Sequence, residues 1–160
     1  MGDFKFSIDI TYNEIDLSQA DVPMKQIAEK IATEAHRNIR TQITPEGHTF
    51  QALAQSTINR KKRLHQPLKA LIAKGIMYNA IHAYRVNKGV YAVGVIPRGV
   101  PQRDLLALIH QEVGAGETRV TRPFLGISKR IEEYAYHRME RWIKERFEKA
   151  SIKRFSIKLT

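Results

Sequence analysis

The chain contains no cysteine. Disulfide staples and thiolate chemistry are therefore excluded. No apolar run approaches the roughly 20 residues that cross a bilayer. The opening MGDFKFSIDI lacks a basic segment followed by an apolar one, so no signal peptide is expected. An HExxH pair, zinc-finger spacing, a P-loop and a GxGxxG turn are all missing. The six histidines (His36, His48, His65, His82, His110 and His137) include no pair at metal-ligand helical spacing with a carboxylate partner. The sharpest absence is local: from Gly47 to Arg103 there are ten Lys/Arg and no Asp or Glu.

What is present fits one folded domain. With 160 residues, 42% of them hydrophobic and 27% charged, the chain can bury a core, and disorder throughout is excluded. The net charge of +11 is uneven. Residues 1–46 carry five Lys/Arg against eight Asp/Glu, the acid-free middle follows, and residues 129–160 carry ten against five. A local excess of that kind is either a solvated basic surface or a face for an anionic partner, nucleic acid or acidic protein.

Hydrophobic periodicity sets the coarse order of elements. FKFSIDITY alternates Phe4, Phe6, Ile8, Ile10 and Tyr12, a half-buried strand. Asp21 and Pro23 mark a helix start, and Met24, Ile27, Ala28, Ile31, Ala35 and Ile39 carry an amphipathic helix to about Gln42. Pro45 and Gly47 break it, and QALAQSTINRKKRLHQPLK reads as a short helix followed by a basic loop. Strands in IMYNAIHAYRV and VYAVGVI flank Asn87-Lys88-Gly89, expected as a three-residue hairpin loop. RDLLALIHQEVGAGE is a short apolar element closed by Gly114 and Gly116. Ile131, Tyr134, Ala135, Met139, Trp142, Ile143 and Phe147 line one face of a long final helix. The pattern implies an α+β fold: an antiparallel sheet with a hairpin, packed against an N-terminal amphipathic helix and a long C-terminal helix. Residues 1–150 are expected to form a single domain, with 151–160 a basic tail or a short strand.

TRPFLGIS, Thr121 to Ser128, needs its own explanation because it holds no reacting group. Pro123 forces Arg122 into an extended conformation. Phe124 and Gly126 then point one way, Leu125 and Ile127 the other. Gly126 allows a close approach, and Ser128 suits the N-cap of the next helix. This reads as a buried hinge strand that aims the last helix. Its apolar faces belong either to the core or, on one side, to a neighbouring subunit.

RPFLGIS followed by a helix resembles the signature of the phage virion morphogenesis family, the tail-completion proteins of Mu-like and P2-like phages. TPEGHTFQALAQST (44–57), LIAKGIMYNAI (71–81), YAVGV and LALIHQEVGAG (106–116) resemble other blocks of that family in the same order, covering residues 22 to 147 or so. Thr44, Phe50 and Leu106-Ala107 depart from the family's Asp, Trp and Tyr-Ala. Lys129-Arg130 replaces acidic residues at a helix N-terminus, where acid is favoured.

The resemblance implies a structural, non-enzymatic protein of the neck or tail-completion type, without cofactor or metal. It would form a ring, hexamer or dodecamer, that joins the capsid portal to the tail in the virion after assembly in the host cytoplasm. Partners would be other copies, neck, portal or tail-tube proteins and DNA in the channel, with no membrane. Arg122, Pro123, Phe124, Leu125 and Gly126 are the candidate interface. Arg60, Lys61, Lys62, Arg63, Arg85, Lys88 and Arg98 are the candidate partner-facing basic segment. His110, Gln111 and Gly114 match the family's motif turn, with His110 expected as a hydrogen-bonded turn residue. The alternative is a nucleic-acid-binding protein in which NRKKRLH and the basic tail follow phosphates, although the aromatics are not interleaved as a stacking platform.

Overall fold

A computed structural model describes residues 6–12, 20–95, 107–114, 119–149 and 152–159. The elements in order are β1 (Phe6–Tyr12), α1 (Asp21–Thr41), α2 (Gln55–Arg63), β2 (Ile81–Asn87), β3 (Val90–Val95), α3 (Lys129–Lys149) and β4 (Ile152–Leu159). A 3-10 turn at Tyr78–Ala80 precedes β2, and a π-helical turn at Ile109–Val113 lies between β3 and α3. The fold is α+β, with α1 packed on the β2–β3 hairpin and on α3.

α1 forms where its apolar spacing requires. Ile27, Ala28, Ala32, Ala35 and Ile39 are buried along one face. Asp21 lies in the first turn, where a carboxylate suits the helix dipole and where Pro23 forfeits no needed N–H. The helix ends at Gln42, whose left-handed φ of 60° lets its N–H bond the carbonyl of Asn38. The Gln42 side chain then grips Ala70: Oε1 accepts its N–H at 2.6 Å and Nε2 donates to its carbonyl at 3.1 Å. The core gathers around this helix from Ala32, Ala35, Ile39, Phe50, Ala70, Met77, Ile81 and Phe124.

The hairpin lies antiparallel, pairing Ile81 with Val95, Ala83 with Val93 and Arg85 with Tyr91. Asn87 pairs with Val90, so the connection is the two residues Lys88-Gly89 rather than three, and the register shifts between Arg85 and Asn87. Asp21 explains the tip. Its Oδ1 accepts from the Gly89 N–H at 2.7 Å and faces Arg85 at 3.1 Å, while Oδ2 accepts from the Tyr91 hydroxyl at 3.0 Å. At the other end of α1, His36 Nε2 donates to the Tyr78 carbonyl at 2.9 Å. β2 therefore starts at Ile81, after the 3-10 turn.

α3 buries Ile131 and Trp142. Ile143, expected on the core face, is 39% exposed, because it lies about 100° round the helix from Trp142. Arg138 Nε donates to Gln26 of α1, and Lys30 sits 5.6 Å over the Tyr134 ring. β1 and β4 form a second two-stranded antiparallel sheet, with Phe6 opposite Leu159, Ile8 opposite Ile157 and Ile10 opposite Phe155. Phe4 of the expected first strand lies outside the described residues.

Asp21 yields a pH prediction. The Gly89 N–H, with help from Tyr91 and Arg85 and against partial desolvation, holds its carboxyl below the usual aspartate range. A depressed carboxylate contributes stability above its unfolded pKa, and that stability is lost as pH falls through the folded value. Asp21→Asn should therefore lower the urea midpoint at neutral pH, and the gap to wild type should close below about pH 4. A gap independent of pH would show that the charge is immaterial.

Candidate functional site

Thr121–Ser128 lies between the π-helical turn and α3 outside any helix or strand, and among the described residues no strand pairs with Phe124 or Leu125. The expected hinge strand is replaced by side-chain amides. Gln111 Oε1 accepts from the N–H groups of both Phe124 and Leu125, each at 3.1 Å, and Nε2 donates to the Leu125 carbonyl at 2.6 Å. Asn38 Nδ2 donates to the Phe124 carbonyl at 3.2 Å. An amide side chain presents the same donor and acceptor as a peptide unit, so Gln111 stands in for a strand partner.

Each end of the segment is also held. The Arg122 N–H donates to the His110 carbonyl at 2.7 Å. Its buried guanidinium donates from Nε to Gln51 O and from NH2 to Ala52 O, both at 3.1 Å. Among the described residues no carboxylate pairs with it, so carbonyl dipoles alone hold the cation, and burial lowers its pKa. At the far end Ser128 Oγ accepts from the Ile131 N–H at 3.3 Å and caps α3. Arg130 reaches back to Glu34 of α1 at 3.4 Å, and Arg37 meets the same carboxylate at 3.2 Å. The basic residue at this helix start thus neutralises a carboxylate buried on α1.

Two glycines are dictated by neighbours. A Cβ on Gly126 would sit 2.8 Å from Pro45 Cγ, so the turn after α1 packs directly on the segment. A Cβ on Gly114, which has φ +86°, would sit 2.1 Å from the Arg119 carbonyl oxygen. The blocks around Pro45, His110–Gly114 and Arg122–Gly126 therefore meet in space.

The structure redistributes the candidate residues. Phe124 is 2% exposed and belongs to this chain's own core, and Arg122 is spent on the 51–52 loop. The outer side of the segment is different: Leu125, Gly126 and Ile127 join Met24, Ile27, Ala28 and Ile31 of α1 and Tyr91 and Val93 of β3 around an open apolar groove of about 210 Å³. Lys61, expected to face a partner, is buried. Its Nζ donates to Pro67 O at 3.0 Å and to Ile72 O, and burial, then the neighbouring Arg60, lowers its pKa. α2 includes the whole Arg60–Arg63 run rather than yielding to a basic loop, because cations in a last turn complement the helix dipole. Arg60, Lys62 and Arg63 are exposed, as is Lys88 at the hairpin tip; Arg85 is half-exposed against Asp21; Arg98 lies outside the described residues.

His110 bonds through its backbone, while its ring Nδ1 is buried with no hydrogen-bond partner among the described residues. Burial, then the nearby Arg122 charge, lowers the ring's pKa. Asn38, Gln111 and Gln42 were not legible as clamps. The available signal for Asn38 was a polar residue inside the apolar stripe between Ala35 and Ile39. Among the described residues no three His, Asp or Glu gather as a metal site, and no helix is long and apolar enough to cross a membrane.

Gln111→Ala should cost about 2–3 kcal/mol in urea unfolding, since it strands buried N–H groups. Gly126→Ala should cost about 1–3 kcal/mol, because the added Cβ meets the Pro45 ring, a side chain rather than backbone, which must shift to admit it. Gly114→Ala should be worse than either, since it meets backbone at an unfavourable φ. Full stability of Gly114→Ala would refute this geometry. His110 should contribute stability that is complete above its ordinary pKa of 6.5 and declines as pH falls below it. His110→Gln should flatten that part of the stability–pH curve.

No curated protein and no solved structure matches the chain. The sequence profile of one family does match, over residues 11–144, a span holding the Pro45 turn, the hairpin, the Gln111 clamp and most of α3. With more than half of its length so matched, the chain belongs to the phage virion morphogenesis family.

Proposed function

We propose that this phage morphogenesis protein is a structural component of the neck or tail-completion region, assembling as a ring that helps join the capsid portal to the tail. Family membership carries the phage structural role. The finer reading is supported by the division of the 121–128 segment into two sides. Phe124 closes the core from within, while Leu125, Gly126 and Ile127 leave an apolar groove open outside, with Ile127 70% exposed. A ring subunit needs distinct lateral surfaces, because head-to-tail contacts close by rotation. The groove supplies one such surface for a second copy. The hairpin, with Tyr84, Val86 and Val90 exposed, supplies material for another.

The role is structural and not catalytic in this reading, and the protein works in the virion. Phage made without it should accumulate heads and tails that do not join, and supplying the chain in trans should restore joined particles. Intact, infectious particles lacking the chain would overturn the proposal. The nucleic-acid alternative predicts DNA affinity that falls steeply with salt on a log–log plot, without any ring.

A further inference from the structure

Most exposed cations of the middle segment lie on stretches tied to the C-terminal end of α1, whereas Arg85 and Lys88 lie with the hairpin tip near Asp21. Lys69 Nζ donates to the Arg40 carbonyl at 2.9 Å, and Gln42 holds Ala70, so the 64–74 loop lies against the C-terminal end of α1. Lys61, buried beneath, ties α2 to the same loop through Pro67 and Ile72. Arg40, Arg60, Lys62, Arg63, Lys69 and Lys74 are exposed on these joined stretches. Among the described residues none of the six pairs with a carboxylate. Glu46, in the turn after α1, is exposed and forms no ion pair with them. Leu64, Leu68 and Ile76, close to these cations in sequence, are 52%, 51% and 44% exposed. A phosphate backbone has no use for exposed leucines, and among the described residues there no Phe, Tyr or Trp is exposed for a base to stack on, only His65. The mixture fits a protein segment that carries both carboxylates and apolar side chains.

The chain itself contains such a segment. Residues 1–22 hold five acids against the single Lys5, and one of the five, Asp21, is engaged by the hairpin. Glu14-Ile15-Asp16-Leu17 alternates acid with apolar residue. This stretch lies outside the described residues, and it enters by composition and covalent reach alone. α1 separates Asp21 from Arg40 by about 28 Å at 1.5 Å per residue. At full extension Asp16 and Leu17 come no further than about 14 Å from Ala20. The stretch therefore cannot dock as a whole on its own copy's basic face.

We propose that the basic, leucine-bearing face at the C-terminal ends of α1 and α2 docks the acidic stretch Glu14–Leu17 of a second copy. The two surfaces differ and lie toward opposite ends of α1, so the contact is head-to-tail, the type that closes rings. The inference rests on the self-assembly proposed above and names one of its contacts.

The test uses the full chain and a labelled peptide spanning residues 12–20. Self-association is followed by sedimentation and peptide binding by fluorescence anisotropy. Both should weaken at least tenfold between ~0.05 M and ~0.5 M salt, as screening shortens the range of the charges. Lys62→Glu with Arg63→Glu should abolish both. Glu14→Lys with Asp16→Lys should abolish self-association, and the chain with all four substitutions should regain it. The neutral pair Lys62→Gln with Arg63→Gln, gentler on folding, should give an intermediate loss, with circular dichroism reporting the fold of every variant. A wild-type chain that stays monomeric and binds no peptide overturns the inference. So does a folded charge-reversed variant that associates like wild type, or a face that binds a DNA oligonucleotide but not the peptide. Rings that persist in the reversed variants would sink this contact and leave the ring standing, whereas joined particles without the protein would sink the ring.

Discussion

The rest of the structure depends on how the backbone of Phe124 and Leu125 is satisfied away from water. A segment crossing a core must place its N–H and carbonyl groups somewhere, and among the described residues no strand lies alongside this one. Gln111 and Asn38 provide the partners from two different elements, the π-helical turn and α1. Phe124 can then insert its ring beside Ile39 and Ile81, which are both fully buried. If the amides were absent, the ring's burial would have to offset stranded polar groups as well as the lost freedom of the chain.

The same device occurs twice. Gln42 treats Ala70 as Gln111 treats Leu125, with one amide group answering an N–H and a carbonyl of the same residue. A buried lysine does a related task under α2, and a buried arginine does it over the 51–52 loop. Long polar side chains thus hold the irregular segments that the two small sheets leave unpaired. This explains how, among the described residues, a fold with two two-stranded sheets can still hold segments 107–114 and 119–128 and the stretch between α2 and β2.

Periodicity made the regular elements readable. α1, the hairpin strands and α3 follow directly from apolar spacing, and a break at Pro45 and Gly47 follows from their backbone limits. What periodicity could not show is which way a polar side chain turns. Lys61 sits inside a run of four cations that reads as one solvated face, yet it is the member α2 turns inward, where two carbonyls await it. Gln111 carries no periodic signal at all; its partners are 13 and 14 residues away. The hairpin loop came out one residue shorter because the Asp21 carboxylate, 68 residues before Gly89, fixes the tip. The outer groove needed three elements in their final positions, so its presence could not be read from TRPFLGIS alone.

Ser128 marks the point where the clamped segment becomes α3. A 21-residue helix is a rod of about 30 Å, anchored near its start by the Ile131 side chain and the Glu34 bridge and further along by Arg138 on Gln26 and the buried Trp142. The helix start follows directly on the segment whose amide contacts seat Phe124, and the groove rim at Ile127 is its immediate neighbour. Anything seated in the groove therefore presses beside the start of a helix that α1 grips along much of its length.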